Sequence, residues 1–387
     1  MNIKHILATA ALALTSTFGM AAEPVKVGVV AELTGPQAEY GLQIVNGIKL
    51  LMHEQGDMVA GRKVELIVKD VGGPNPDVAK RLAQELVTRD KVKFLAGFGF
   101  TPNALAAAPI ATAGKTPMVV MNAAGASIPA RSPYIVRTSM TIAQNAIGIA
   151  DWAVKNGIKS AFILYADYVP GKEGAEQFKA RFVAGGGTIK GELGAPLKNP
   201  DFGPFIQRVK DSKPDAAFIW FPSGELATNV VKAYSERGLD KANIKLIGTS
   251  DAVDDMFVNG MGDGVVGAIT AGQYSLAHDS ARNREFVQHY KALYGDKVKP
   301  NFMAVSAYDG MAAIYQVIRQ LNGAVDGDKA MAVLRGMKLD SPRGPIMIDP
   351  ATRDIVQTIY IRKVERRDGE LYSVEFDKFQ AAAQGGK

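Results

Sequence analysis

Residues 97–102, GFGFTP, and 109–116, PIATAGKT, come nearest to a recognisable chemical motif, and both fall short. GFGFTP follows a strand-like run and starts like a dinucleotide-binding turn. Pro102 stands where the third glycine belongs, and no acidic residue lies about 20 positions on. PIATAGKT ends like a phosphate-binding loop, but Pro109 replaces its first glycine. It also leads from a helix into a strand, the reverse of what phosphate cradling needs, and Gly114 reads instead as a helix cap. The chain has no cysteine, hence no thiol nucleophile, no disulfide and no lipid-bearing N-terminal cysteine. The four histidines, His5, His53, His278 and His289, include no pair at metal-site spacing. GASIP at 125–129 fails the last position of a serine-nucleophile elbow. No catalytic residue, metal or cofactor is therefore expected.

The sequence offers binding loops instead. TGPQAEYG (34–41), GFGFTPNA (97–104) and NAAGAS (122–127) each follow a strand-like run, and all are small, mostly uncharged and rich in Gly, Ala, Thr or Ser. In open α/β sheets such carboxyl-end loops line the ligand crevice. Thr101-Pro102 reads as N-cap and first residue of a helix. Its free N–H groups and dipole suit an anion, and a small one, because no Arg or Lys is near in sequence to hold a phosphate. A carboxylate fits.

Strand and helix patterns that position these loops alternate along the chain. VKVGVVA (25–31) precedes a helical pattern from Glu39 to Glu54. KVELIVKD (63–70) precedes a helix capped by Asn75 and Pro76, with Val78, Leu82 and Leu86 on one face. KFLAG (93–97) and PMVVM (117–121) follow. The alternation restarts after residue 141, with strands at 159–166, 186–193, 215–221, 244–250 and 264–270. Several are continuous apolar runs, as expected of parallel strands buried on both faces, so two doubly wound α/β lobes are expected. After residue 271 come helical patterns at 279–294, 302–322 and 328–336 and then the strand-like PIMID, DIVQTIYIRKV and LYSVEF, which read as completing both lobes.

Hydrophobic residues make up 47% and charged residues 22%, ordinary for a folded chain. MNIKH, an apolar stretch to Ala22 and small residues at Gly19, Ala21 and Ala22 read as a secretory signal peptide, residues 1–22. Loss of Lys4 takes Lys+Arg from 45 to 44 against 39 Asp+Glu, a formal +5. The densest basic stretch, RKVERR (362–367), reads as a solvated strand edge. With export from the cell, nucleic acid is not an expected partner.

In order and spacing these motifs resemble the periplasmic solute-binding proteins of ABC transporters for branched-chain amino acids, the leucine/isoleucine/valine-binding family. TGPQAEYG resembles the family's opening motif, AAPIATAGKTPMV (107–119) its helix-to-strand pattern, VSAYDGMAAIYQVI (305–318) its tyrosine-bearing helix, and GPIMIDPATRD (344–354) its C-terminal strand. The resemblance implies a type I periplasmic binding protein fold: two lobes joined by three crossovers near 139–141, 271–275 and 348–352, with ligand between them. One lobe would comprise 23–140 plus 272–348 and the other 141–271 plus 349–387. It also implies a periplasmic monomer that hands a small carboxylate to membrane permease subunits.

The same resemblance points to site residues. Tyr40 matches a cleft-edge tyrosine. Thr101, with Phe100 beside it, falls at the carboxylate-binding serine. Ala123, Ala124 and Gly125 match an Ala-Ala-Thr whose hydroxyl is missing here, with Ser127 as a substitute. Tyr168 in ADYVPG matches a tyrosine that covers the ligand, and Phe221 in FPSGE lies at another aromatic contact. One position departs. The family's ammonium-binding glutamate is replaced by Ser250, with Asp251 next to it. A buried ammonium needs an acid. Asp251 could turn in to supply it; without that, the ligand lacks an amino group, and an aromatic or other apolar carboxylate suits Tyr40, Phe100 and Phe221. An exported sensor domain on the same fold ranks second, and an enzyme last.

Overall fold

The computed structural model describes residues 23–198 and 200–381. The expected signal peptide lies outside the described residues. The first stretch of chain forms β1 (Val25–Ala31), α1 (Ala38–Gln55), β2 (Met58–Val59), β3 (Arg62–Asp70), α2 (Pro76–Thr88), β4 (Phe94–Gly97), α3 (Thr101–Ala113), β5 (Met118–Val120) and β6 (Ile135–Arg137). Their sheet runs β2-β3-β1-β4-β5-β6, parallel except for the short edge strand β2. All but one residue of β1 is buried, as its uninterrupted apolar run requires. Helix α2 buries Ala79, Leu82, Ala83 and Leu86 along one stripe, and the Asn75 side chain accepts from the Val78 N–H at its start.

The second stretch forms α4 (Ile142–Lys155), β7 (Ser160–Ala166), α5 (Val169–Ala184), β8 (Thr188–Ala195), α6 (Phe202–Asp211), β9 (Ala216–Trp220), α7 (Glu225–Glu236), β10 (Lys245–Thr249) and β11 (Ile269–Gly272). The last comprises α8 (Ala281–Tyr294), α9 (Phe302–Gln320), α10 (Gly327–Leu334), β12 (Lys338–Ser341), β13 (Gly344–Ile348), β14 (Ile355–Arg367) and β15 (Glu370–Ala381). The second sheet runs β12-β13-β14-β11-β10-β9-β7-β8, with β15 paired to β14. Its β11-to-β8 half is parallel and the strands from β12 to β15 are antiparallel. Two α/β lobes with mixed sheets result. The expected strand at 264–270 starts only at Ile269, because a 3₁₀ turn at Asp263–Val265 and the left-handed Gly267 precede it.

The chain passes from the first sheet to the second between β6 and α4, whose partners are α5 and strands of the second sheet. It returns between β11 and α8, after which α9 packs along α1. The β12–β13 hairpin makes the third passage: β12 rests on α9, while Met347 and Ile348 of β13 pair with Val356 and Ile355 of β14. Two buried arginines tie these passages together. Arg137, at the end of β6, bonds Asp354 at 2.8 Å, just before β14. Arg343, in the hairpin turn, reaches Asp309 of α9 at 3.1 Å and the carbonyls of Thr138 and Ser139.

A closed cleft at the carboxyl ends of the strands

Five parallel strands end around one cavity. After β4 come Gly99, Phe100 and Thr101; after β5, Asn122 and Ala124; after β7, Tyr168 and Pro170; at the end of β9, Trp220; after β10, Asp251. Tyr40 of α1 and Met140 of the first crossover complete the wall. The cavity between them is only about 20 Å³, room for about one water, so the cleft is shut upon its own side chains. No Lys or Arg lines it.

The first-lobe half is built from backbone and aromatic surface. Tyr40 and Phe100 stack with ring centroids 4.9 Å apart. Phe100, not Thr101, is the N-cap of α3. The Thr101 hydroxyl turns away from the helix and accepts the Gly125 N–H at 3.0 Å, which ties the loop after β4 to the loop after β5. A Cβ on Gly125 would lie 2.5 Å from Thr101 Cγ2, so the two positions are matched in size. The Asn122 amide donates to the Gly99 carbonyl at 2.9 Å. The N–H groups of the first α3 turn remain at the helix end, without partners one turn back.

The second-lobe half carries the charge. Tyr168 and Trp220 pack 5.6 Å apart. Asp251 is buried and accepts from the Thr249 hydroxyl at 2.9 Å. Burial pushes its carboxyl up to about 6, against the pull of Thr249, the Trp220 N–H and the Arg362 charge. The Tyr40 and Tyr168 phenols are held well above their usual value, by burial first and then by the Asp251 charge, so all three groups share one low-dielectric space. The Trp220 Nε1 faces Asp251 but makes no bond of hydrogen-bond geometry.

Of the residues singled out from sequence, Tyr40, Phe100, Thr101, Ala124, Tyr168 and Asp251 meet at this cavity. Ala123 and Gly125 sit just behind it, their carbonyls held by Arg137 at 2.7 and 2.8 Å. Ser127 is half-buried farther along that loop. Ser250 lies beside Asn145, whose amide is 3.5 Å from its hydroxyl. Phe221 packs edge-on against Phe202 at 5.0 Å, and its neighbour Trp220 faces the cavity instead. Gly99, Asn122, Met140, Pro170 and Trp220 are wall residues that the sequence reading did not name. For Trp220 a signal exists: successive residues of a strand face opposite ways, so the FIWF run offers one aromatic to the cleft and the next to the core.

The sequence pattern of the periplasmic binding protein family matches residues 24–370. The chain belongs to that family. It is 40% identical to Leu/Ile/Val-binding protein homolog 6 of Brucella melitensis biotype 1 over 383 residues, 98% of each chain. Among solved structures, it is similar to a solute-binding protein of an ABC transporter from Rhodopseudomonas palustris BisB5 in complex with 3,4-dihydroxy benzoic acid. That likeness has 54% identity and a TM-score of 0.90, and covers 94% of this chain and 99% of that one. A second R. palustris solute-binding protein, in complex with 4-hydroxybenzoate, is 40% identical with a TM-score of 0.91 over 94% and 99% of the two chains. The fold is thus the type I periplasmic binding protein fold, and the chain is an ABC-transporter solute-binding protein. Such proteins work in the periplasm, bind small molecules and interact with a membrane permease.

Proposed function

We propose that this protein captures a hydroxylated benzoate between its lobes and delivers it for import, as a non-catalytic periplasmic monomer released from a cleaved signal peptide. In this reading the lobes comprise 23–140 plus 272–348 and 141–271 plus 349–387.

The observation that carries the ligand class is the adjacency of Trp220 Nε1, a buried donor without a partner, and Asp251, a buried acceptor, in one aromatic-walled cavity. An ammonium only donates, so it would pair with Asp251 but offer the indole N–H no acceptor of its own. A hydroxyl both accepts and donates, so it serves both groups. With these side chains drawn apart, the ring would enter between Tyr40–Phe100 and Tyr168–Trp220. The carboxylate then points to the opposite, first-lobe end, at the Gly99–Thr101 backbone and Asn122, away from the Asp251 charge. The hydroxybenzoate complexes of the two R. palustris proteins support the same chemistry.

A thermal-shift comparison of 4-hydroxybenzoate, 3,4-dihydroxybenzoate, benzoate and leucine tests the reading. A ligand at 100 times its Kd adds about 2.7 kcal/mol to stability. The hydroxylated acids are expected to raise Tm most, benzoate less and leucine least. A leucine shift larger than those of the aromatic acids would restore the amino-acid reading.

A further inference from the structure

Glu32, the residue directly after β1, is a fully buried acid outside the cavity wall, and nothing in the binding reading uses it. Its Oε1 accepts the Asn103 amide of α3 at 2.9 Å, and Asn103 also donates to the Gly73 carbonyl. Its Oε2 has no partner at full hydrogen-bond geometry, although the Gly99 N–H faces the carboxyl. The carboxyl lies immediately behind the loop after β4: a Cβ on Gly99 would sit 2.2 Å from Oε2, so a larger residue there would have to displace the carboxylate. Gly99 and Thr101 face the cavity with their other side. Glu32 therefore backs the stretch of main chain that, on the proposed reading, receives the ligand carboxylate.

We infer that Glu32 is a positioning residue for the anion end of the cleft, and that capture of a carboxylate there is accompanied by proton uptake at Glu32 from solvent. The inference rests on the proposed placement of the ligand carboxylate. A buried carboxylate behind Gly99 and a second one in front of it repel across a thin, poorly solvated layer, and a proton on Oε2 removes the repulsion. The other groups facing Glu32 supply no cation. They are Asn103 on α3, the Gly99 N–H, Asp70 at the end of β3 and the Tyr40 phenol on α1. Burial already raises the Glu32 carboxyl to about 7, against the Asn103 and main-chain hydrogen bonds, and Asp70 adds to the rise. The proton equilibrium thus lies where the exterior pH of a cell moves it. Asp251 has the opposite response: a ligand hydroxyl that donates to it favours its charged form, so it releases protons and does so at lower pH.

Calorimetric titration in two buffers of unlike ionisation enthalpy, at pH 6, 7 and 8, counts the protons. The probes are 4-hydroxybenzoate, benzoate and leucine, each with one carboxylate and no other group that titrates in that range. Whichever binds is expected to weaken about tenfold from pH 6 to pH 8, with uptake of about half a proton at pH 7 and most of one at pH 8. Glu32→Gln is expected to bind with a flat profile and no uptake. Uptake by the native protein near zero at pH 7, or uptake that persists in Glu32→Gln, overturns the inference. If Glu32→Gln does not fold, Asn103→Ala decides, because loss of the bond that favours the charged form moves the midpoint of the profile upward. An unmoved midpoint overturns the inference. Binding of leucine alone, with uptake intact, would sink the hydroxybenzoate reading and leave this one standing; no binding by any probe sinks both.

Discussion

At the scale of single residues, the proposed reading divides the site into an end that receives negative charge without a cation and an end that matches a hydroxyl. Asp251→Asn keeps the shape of the second-lobe end but removes its charge. A hydrogen bond to a charged group contributes about 1.5–3 kcal/mol, so this variant is expected to bind 4-hydroxybenzoate about 10–100-fold more weakly, with a much smaller loss for benzoate, by calorimetry. Trp220→Phe removes the Nε1 donor and keeps most of the ring, so it is expected to lower the preference for 4-hydroxybenzoate over benzoate. An unchanged ratio of the two Kd values would remove Trp220 from the account. The residues legible from sequence were those that stand in a motif beside a strand end, such as Tyr40, Phe100 and Tyr168. Those not legible depend on which way a chain turns where its strand stops. Trp220 and Phe221 are equally aromatic, and only the geometry at the end of β9 brings Trp220 to the cavity and sends Phe221 to Phe202. Likewise, Ser250 and Asp251 are neighbours, but Asp251 alone is on the wall.

At the scale of elements, strand-end loops are placed by ordinary helix and sheet chemistry. The Asn75 cap of α2 is expected to follow it too: Asn75→Ala should cost about 1 kcal/mol of stability by denaturant titration, with ligand affinity unchanged, since α2 does not reach the cavity. Apolar runs and caps made most elements readable, because a strand buried on both faces has no other composition open to it. Three features were not readable. Edge strands β2, β6 and β12 are too short for periodicity to show. The start of β11 is set by a turn within a uniformly apolar GVVGAIT run. The cap of α3 shifted by one residue, because the Thr101 hydroxyl is engaged by the Gly125 N–H across the cleft floor. That last bond is tertiary, and no local pattern announces it.

At the scale of the whole molecule, stability turns on buried charge. Arg137 and Asp354 join the first and third passages between lobes, and Arg137 also holds the carbonyls behind the ligand loop. Asp354→Ala leaves that guanidinium unpaired in the interior and is expected to cost about 3–5 kcal/mol, read as a lower denaturation midpoint. Stability should also follow pH in a definite sense. Burial holds Glu32 near 7 and Asp251, Asp254 and Asp309 near 6 in the folded chain, all above their unfolded values. The folded state therefore binds more protons than the unfolded one between about pH 4 and 7, and its stability falls as pH rises through that window. Asp70, Asp215 and Asp349 are held low by hydrogen bonds, and their contribution is lost as pH falls below about 4. Calorimetric Tm of the ligand-free protein is expected to be highest near pH 4. The two-lobed plan itself was legible, because the strand–helix alternation stops and restarts; the buried arginine ties were not, because their partners lie about 200 residues apart. The central claim, that a hydroxylated benzoate lies across the cleft with its acid end on the first lobe, is tested most directly by a crystal structure of the 4-hydroxybenzoate complex. The carboxylate is expected at the main chain of Gly99–Thr101 and the hydroxyl between Asp251 and Trp220 Nε1. A ligand bound in the reverse sense, or outside this cavity, would contradict it.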